Sequence, residues 1–303
     1  MHSLKVIFAL LVAAALGSGA APAQPVLGAQ GEEGEPNRRQ QWLVPSPDPA
    51  RPARALLLRP PGAGPFPLAL GAHATTQNVL RRAQMPRPEY RALAGFLVAR
   101  GFAVLVPERM GHGATGGTYL EDQGGCDEAD YSHSARATAG QIRLALDYLS
   151  DQPFIWKNHA IVIGHSAGGW GALALAAESP NGGSKSILAI IAFAPGRGGH
   201  ANDFPNQVCA PHTLLASAAE FGRSAKVPVT WLVAANDSYF SPALSRQLAD
   251  AFREAGGRVD FHVLPAHGGE GHWLPESENG VKLATAELDR ALRARPAAAV
   301  RKR

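Results

Sequence analysis

The run Ala160-Ile161-Val162-Ile163, followed at once by Gly164-His165-Ser166-Ala167-Gly168, constrains this chain of 303 residues more than any other stretch. A short apolar run rich in β-branched residues reads as a buried strand. Beyond it, Trp170, Leu173, Leu175 and the alanines up to Ala177 suit a helix. A serine on so sharp a strand-to-helix turn is forced into a strained backbone conformation. Only residues without bulk fit beside it, and Gly164 and Gly168 stand two positions away on either side. The turn pushes the hydroxyl out of the sheet, and the following helix presents its N-terminus and free N–H groups to it.

The rest of the chain repeats the alternation of strand and helix. Apolar runs at Gln41 to Val44, Ala53 to Leu58, Pro67 to Gly71, Ala103 to Val106, Ile187 to Ala194, Val227 to Ala235 and Val259 to Leu264 predict strands. Helical spacing marks Pro88 to Arg100, a run from Ala135 to Ser150, and a segment after Pro211 reaching Phe221. The same spacing continues at Leu244, Leu248, Ala251 and Phe252, opened by Ser241 and Pro242, and from Val281 to Leu292. This order predicts an α/β fold with a mostly parallel sheet covered on both faces. With 46% hydrophobic residues, no repeat and no second composition regime, one domain over residues 41–295 is expected.

Open α/β sheets carry their sites at the carboxyl ends of the strands. The polar residues just after strands are therefore the candidates. Asn236 and Asp237 follow one strand, and His267 and His272 lie in the glycine-rich loop after the last one. Ser166, Asp237 and His272 occur in the order nucleophile, acid, base. A serine hydroxyl is a weak nucleophile and needs an imidazole to take its proton; a carboxylate fixes the imidazole's tautomer. Asp203 and Asp260 are rivals for the acid, the first in a loop excursion and the second inside a strand. His267 is the rival base. His272 is preferred because glycines precede it and Trp273 and Leu274 can anchor it. An oxyanion hole needs two amides. Ala167 supplies one, and Ala74 or Thr75 supplies the other.

These motifs together resemble the α/β-hydrolases, and among them the dienelactone-hydrolase-like secreted or periplasmic esterases. The resemblance runs from Arg54 to about Leu274 and rests on Gly64-Pro65-Phe66-Pro67-Leu68, His73-Ala74-Thr75, Ala235-Asn236-Asp237-Ser238-Tyr239-Phe240 and Gly271-His272-Trp273-Leu274. It implies an α/β-hydrolase fold and a serine esterase that forms an acyl-enzyme on a small-molecule ester without a cofactor or metal. It also points to the Thr75 amide as the partner of Ala167. Dienelactone hydrolases proper use a cysteine nucleophile, so Ser166 does not carry their lactone substrate with it. Met110, Tyr239, Phe240 and Trp273 are candidates for the substrate pocket. A peptidase resembling the prolyl oligopeptidases and a non-catalytic binding protein on the same scaffold are the competing functions.

Met1 to Ala23 has a positive start at Lys5, an apolar centre from Val6 to Leu16 and Ala21-Pro22-Ala23, the pattern of a secretory signal peptide. A periplasmic or secreted protein, without a membrane anchor after cleavage, is the expectation. Cys126 and Cys209 are then expected to be bridged, since thiols pair in an oxidising compartment. Residues 24–40 read as a flexible lead-in. The net charge of +4 is concentrated near the end of the chain, with residues 296–303 a basic tail, and no basic stripe suggests a nucleic-acid surface.

Overall fold

The structure is a computed structural model that describes residues 25–178 and 187–293. The expected signal peptide and basic tail lie outside the described residues. In chain order the elements are β1 (Gly28–Ala29), β2 (Gln40–Val44), β3 (Ala53–Leu58), β4 (Phe66–Ala72), α1 (Val79–Ala83), α2 (Arg91–Val98), β5 (Ala103–Pro107), α3 (Tyr131–Ser150), β6 (Ile155–His165) and α4 (Ala167–Ala177). They continue with β7 (Ile187–Phe193), α5 (Pro211–Ser224), β8 (Val229–Ala234), α6 (Pro242–Glu254), β9 (Val259–Leu264) and α7 (Glu278–Arg293), with 3-10 turns at Ala201–Asp203 and Gly271–Glu276.

The strands form one nine-stranded sheet in the order β1-β2-β3-β5-β4-β6-β7-β8-β9. From β5 to β9 along the sheet every neighbour is parallel, and β1, β2 and β3 add antiparallel edges. The strand order reverses at β4 and β6, which pair directly. A crevice opens at the carboxyl ends of strands at such a switch point.

Alternation along each strand divides the core in two. Leu68, Leu70, Val162, Ile190 and Trp231 face α3, α4, α5 and α6. Their neighbours Ala69, Ile161, Ile163, Ile191 and Leu232 face α2 and α7. Strands buried on both faces explain why β4 to β8 read as nearly continuous apolar runs.

Three boundaries differ from the sequence expectation for physical reasons. Strand β6 begins at Ile155, five residues before its apolar run, because Phe66 already pairs with Ile155 across a bulge. Helix α2 starts only at Arg91, since Pro86 and Pro88 cannot continue a helix backward and Tyr90 caps it in a left-handed conformation. Residues 25–39, expected as a flexible lead-in, are tied down. Gly28 and Ala29 pair with Leu43 and Trp42, and Arg38 and Arg39 form ion pairs with Glu33 and Glu89.

Candidate active site

Strand β6 ends at His165, and Ser166 takes φ 54° and ψ −119° before α4 begins. A non-glycine residue in that region is strained and persists only where its surroundings over-determine it. The surroundings do so. The Ser166 N–H donates to the Phe193 carbonyl at 2.9 Å, and the Ser166 carbonyl accepts from Trp170 N and Gly196 N. A Cβ on Gly168 would lie 2.1 Å from the Ala72 carbonyl oxygen, and one on Gly164 would lie 2.5 Å from Gly169 Cα. The two glycines therefore let α4 press its N-terminus against the end of β4.

The acid candidate sits in the turn after β8. Asp237 is buried, and its Oδ1 accepts from the amides of Tyr239 and Phe240 at 2.9 and 2.8 Å. Its Oδ2 accepts from His272 Nδ1 at 3.0 Å. That bond requires a proton on Nδ1 and leaves Nε2 as the basic nitrogen of the neutral ring. Asp203 instead lies on the exposed outer turn near Arg81, and Asp260 is inside β9. His267 bonds Ser277 Oγ at 2.9 Å.

Two side chains fasten the acid turn to the histidine loop: Glu270, which sequence reasoning missed, and Asn236, which it placed after the strand without a role. Glu270 Oε1 accepts from His272 N and Ser238 N, and its Oε2 accepts from the Ser238 hydroxyl. Asn236 holds the other end, accepting from His267 N and donating to the carbonyls of His267 and Gly268. The His272 ring is buried and stacks on Tyr239 at 4.3 Å, which in turn stacks on His200 at 3.6 Å. Burial pushes the His272 pKa down, and the hydrogen bond to Asp237 and its charge oppose this only in part, so the net shift is below the usual histidine value.

The loop after β4 is fixed just as closely. His73 Nδ1–H donates to the Ala74 carbonyl, and its Nε2 accepts from Arg109 N at 3.0 Å. His112 points Nδ1–H at the carbonyls of Arg109 and Met110 and accepts from the Thr75 hydroxyl on Nε2. Burial holds His112 down at about 4 and His73 well below the usual range, with Arg109 adding to both, so both rings are neutral. The Ala74 N–H is already taken by the Tyr90 hydroxyl at 3.2 Å. Among the described residues no protein acceptor takes the Thr75 N–H, so of the two amides left open by the sequence only this one is available.

Under this loop lies a buried ion cluster. Glu121 accepts from Arg109 Nε and from Arg197 Nη2, both at 2.5 Å, with Gln141 Nε2 at 3.1 Å. Burial alone would raise the Glu121 pKa, but the two guanidiniums outweigh it and hold the carboxyl well below its usual range. The only sequence hint of this cluster was a charged residue within Gly196-Arg197-Gly198-Gly199, directly after a buried strand.

Ser166, Ala167, Thr75, Tyr239, Phe240, His272 and Trp273 line one cavity of about 1100 Å³. Ser166 and His272 share it, although among the described residues no hydrogen bond joins the hydroxyl to the ring. Catalytic contacts of this kind commonly tighten only with substrate. Met110 is the correction. It is buried away from the lining, with its amide held by Gln141 Oε1 and its methyl close to Gly117. Cys126 and Cys209 form a disulfide, and among the described residues no cysteine is free. Among those residues no helix is long and apolar enough to cross a membrane, and no His, Cys, Asp and Glu side chains group as metal ligands.

No protein-family model matches the chain, and no curated protein sequence matches it. Solved structures do. A candidate dienelactone hydrolase from Klebsiella pneumoniae aligns at 16% identity and a TM-score of 0.55, over 84% of this chain and 98% of that one. An esterase from Pyrococcus furiosus aligns at 14% identity and 0.57, over 85% and 92%. A puromycin-hydrolysing peptidase from Mycobacterium tuberculosis aligns at 14% identity and 0.54, over 84% of this chain but 40% of its own. At such identities the likeness speaks for the fold, and the fold is that of the α/β-hydrolases.

Proposed function

We propose that this chain is a serine hydrolase that cleaves carboxylic esters through an acyl-enzyme. The observation that carries the reading is the convergence of a strained serine and an Asp237-bound imidazole on one cavity. Ser166 Oγ attacks the ester carbonyl while His272 Nε2 takes its proton. The Thr75 and Ala167 amides receive the oxyanion, which they stabilise more than the ground-state carbonyl. The intermediate collapses, the alcohol leaves with the proton from Nε2, and Ser166 keeps the acyl group. Water then attacks with His272 again as base, the intermediate collapses with Ser166 Oγ taking the proton back from Nε2, and the acid departs. Asp237 accepts from Nδ1–H throughout and stabilises the imidazolium.

The test is Ser166→Ala on p-nitrophenyl acetate with a fluorophosphonate probe in parallel. Loss of kcat on the order of 10^4- to 10^6-fold, with loss of labelling and an unchanged melting temperature, is expected. A variant keeping a tenth of the activity would overturn the assignment. Peptidase activity is the second reading, favoured by the likeness to the Mycobacterium tuberculosis enzyme. Aminoacyl p-nitroanilides assayed beside the esters separate the two. Tyr239, Phe240 and Trp273 form the proposed substrate wall. Export to a periplasmic or extracellular compartment is part of the proposal and is supported by the disulfide. Cell fractionation checks it.

A further inference from the structure

His165 stands beside the nucleophile, with its ring 5.0 Å from that of His272. It is buried, and its Nε2 lies 2.8 Å from the backbone carbonyl of His272. Its Nδ1 lies 3.0 Å from the Tyr90 hydroxyl. That hydroxyl is in turn 3.2 Å from the Ala74 amide. The donors and acceptors can be placed in one way only for a neutral ring. A carbonyl accepts, so Nε2 carries the proton. Nδ1 must then accept, so Tyr90 donates to it. The Tyr90 oxygen is left to accept from Ala74 N–H.

The bonds all run in one direction, and the Glu276 carboxylate stands 3.5 Å from the same Nδ1 that accepts from Tyr90. These bonds join three segments far apart in the chain: the loop after β4, the serine turn and the histidine loop. Tyr90 reaches this position from a left-handed conformation at φ 45°, costly for an aromatic residue, at the N-cap of α2. The ring of His165 is wedged edge-on against Tyr90 and Trp273, which leaves it no other orientation.

We infer that Tyr90 and His165 are positioning residues: a hydrogen-bond relay that sets the oxyanion loop and the base loop at a fixed spacing around Ser166. The inference rests on the serine-hydrolase reading. Taking up the Ala74 amide turns the Thr75 amide into the open donor. Holding the His272 carbonyl limits where its imidazole can travel. Tyr90 lines the cavity, but Tyr90→Phe keeps its ring there, and His165 is not part of the lining. Loss of the relay hydroxyl or imidazole therefore slows the chemical step and leaves ground-state binding alone.

The test uses Tyr90→Phe, His165→Gln and the double variant of the full mature chain. Gln can still donate to the His272 carbonyl but offers Tyr90 no acceptor at the Nδ1 position. The readout is phosphonylation of Ser166 by a fluorophosphonate, resolved into kinact and KI, with the melting temperature followed in parallel. A loss of about tenfold in kinact is expected for each single variant, with KI within about twofold. The double variant should be no slower than the slower single one, because residues acting as one unit are not additive. Variants that label like the wild type, change only KI, or add their effects independently would overturn the relay. A wild-type chain that the probe does not label at Ser166 would overturn the hydrolase reading and the relay with it. Wild-type labelling with unaffected variants would overturn the relay alone.

Discussion

At the scale of single residues, the proposed role of His272 as base sets the pH response. Its imidazole is useful as a base only when unprotonated, and burial disfavours the protonated form more than Asp237 restores it. The acid limb of kcat/KM should therefore have its midpoint below the ordinary histidine value of 6.5. A profile from pH 4 to 8 checks this, and a midpoint above that value would contradict the environment described. His272→Ala should abolish turnover. His267→Ala should retain most of it, because His267 is engaged with Ser277 and Asn236 outside the cavity lining. Asp237→Asn keeps the shape but spoils the tautomer, and a loss on the order of 10^3- to 10^4-fold in kcat is expected. A mild effect there would return Asp203 to consideration.

At the scale of elements, the two cysteines staple the long loop before α3 to the excursion after β7. Cys209 N bonds the Gly198 carbonyl, Gly199 bridges to Val208, and the Tyr131 hydroxyl donates to the Cys209 carbonyl. The same excursion carries Gly196 to Gly199, a wall of the cavity. The bridge closes a separation of 83 residues. Its removal in Cys126→Ser/Cys209→Ser should cost about 2–5 kcal/mol, measured by denaturant unfolding against the oxidised parent. Parity with that parent would refute a stabilising role. What was legible in the sequence follows from the same geometry. Ser166 and Asp237 could be read because each follows a buried strand, and His272 because it lies in the glycine-rich loop after the last strand. Tyr90 and Glu270 could not, because their partners lie 75 and 32 positions away and no local pattern records such pairs. Met110 misled because a residue after a strand end resembles a site residue. Its burial and its methyl beside Gly117 show that the side chain is drawn inward. The tethering of residues 25–39 was hidden for a similar reason: polar, glycine-rich composition reads as a loop, while Arg39 finds its carboxylate 50 residues on.

At the scale of the whole molecule, the same buried histidines make the fold sensitive to mild acid. His73, His112 and His272 all have folded-state pKa values below the ordinary histidine value of 6.5, each primarily through burial. In the unfolded chain they titrate near about 6.5. As pH falls through that value, the unfolded state takes up protons that the native state refuses, so stability drops with pH. For His112 the drop continues down to its folded value of about 4. The buried carboxylate Glu121 is held well below its usual range, so its contribution is lost only at lower pH, beginning near the ordinary glutamate value of 4.5. Between about pH 6 and 5 the histidines therefore dominate. Each adds roughly 1.4 kcal/mol per pH unit once its unfolded form is protonated and its folded form is not. Urea unfolding at closely spaced pH values reads this slope directly. His112→Gln should keep an acceptor for the Thr75 hydroxyl while lowering the slope by about one proton's worth. A stability that stayed flat from pH 6.5 to 5 would mean that these rings charge without opening the loop they hold, contrary to the packing around His73 and His112.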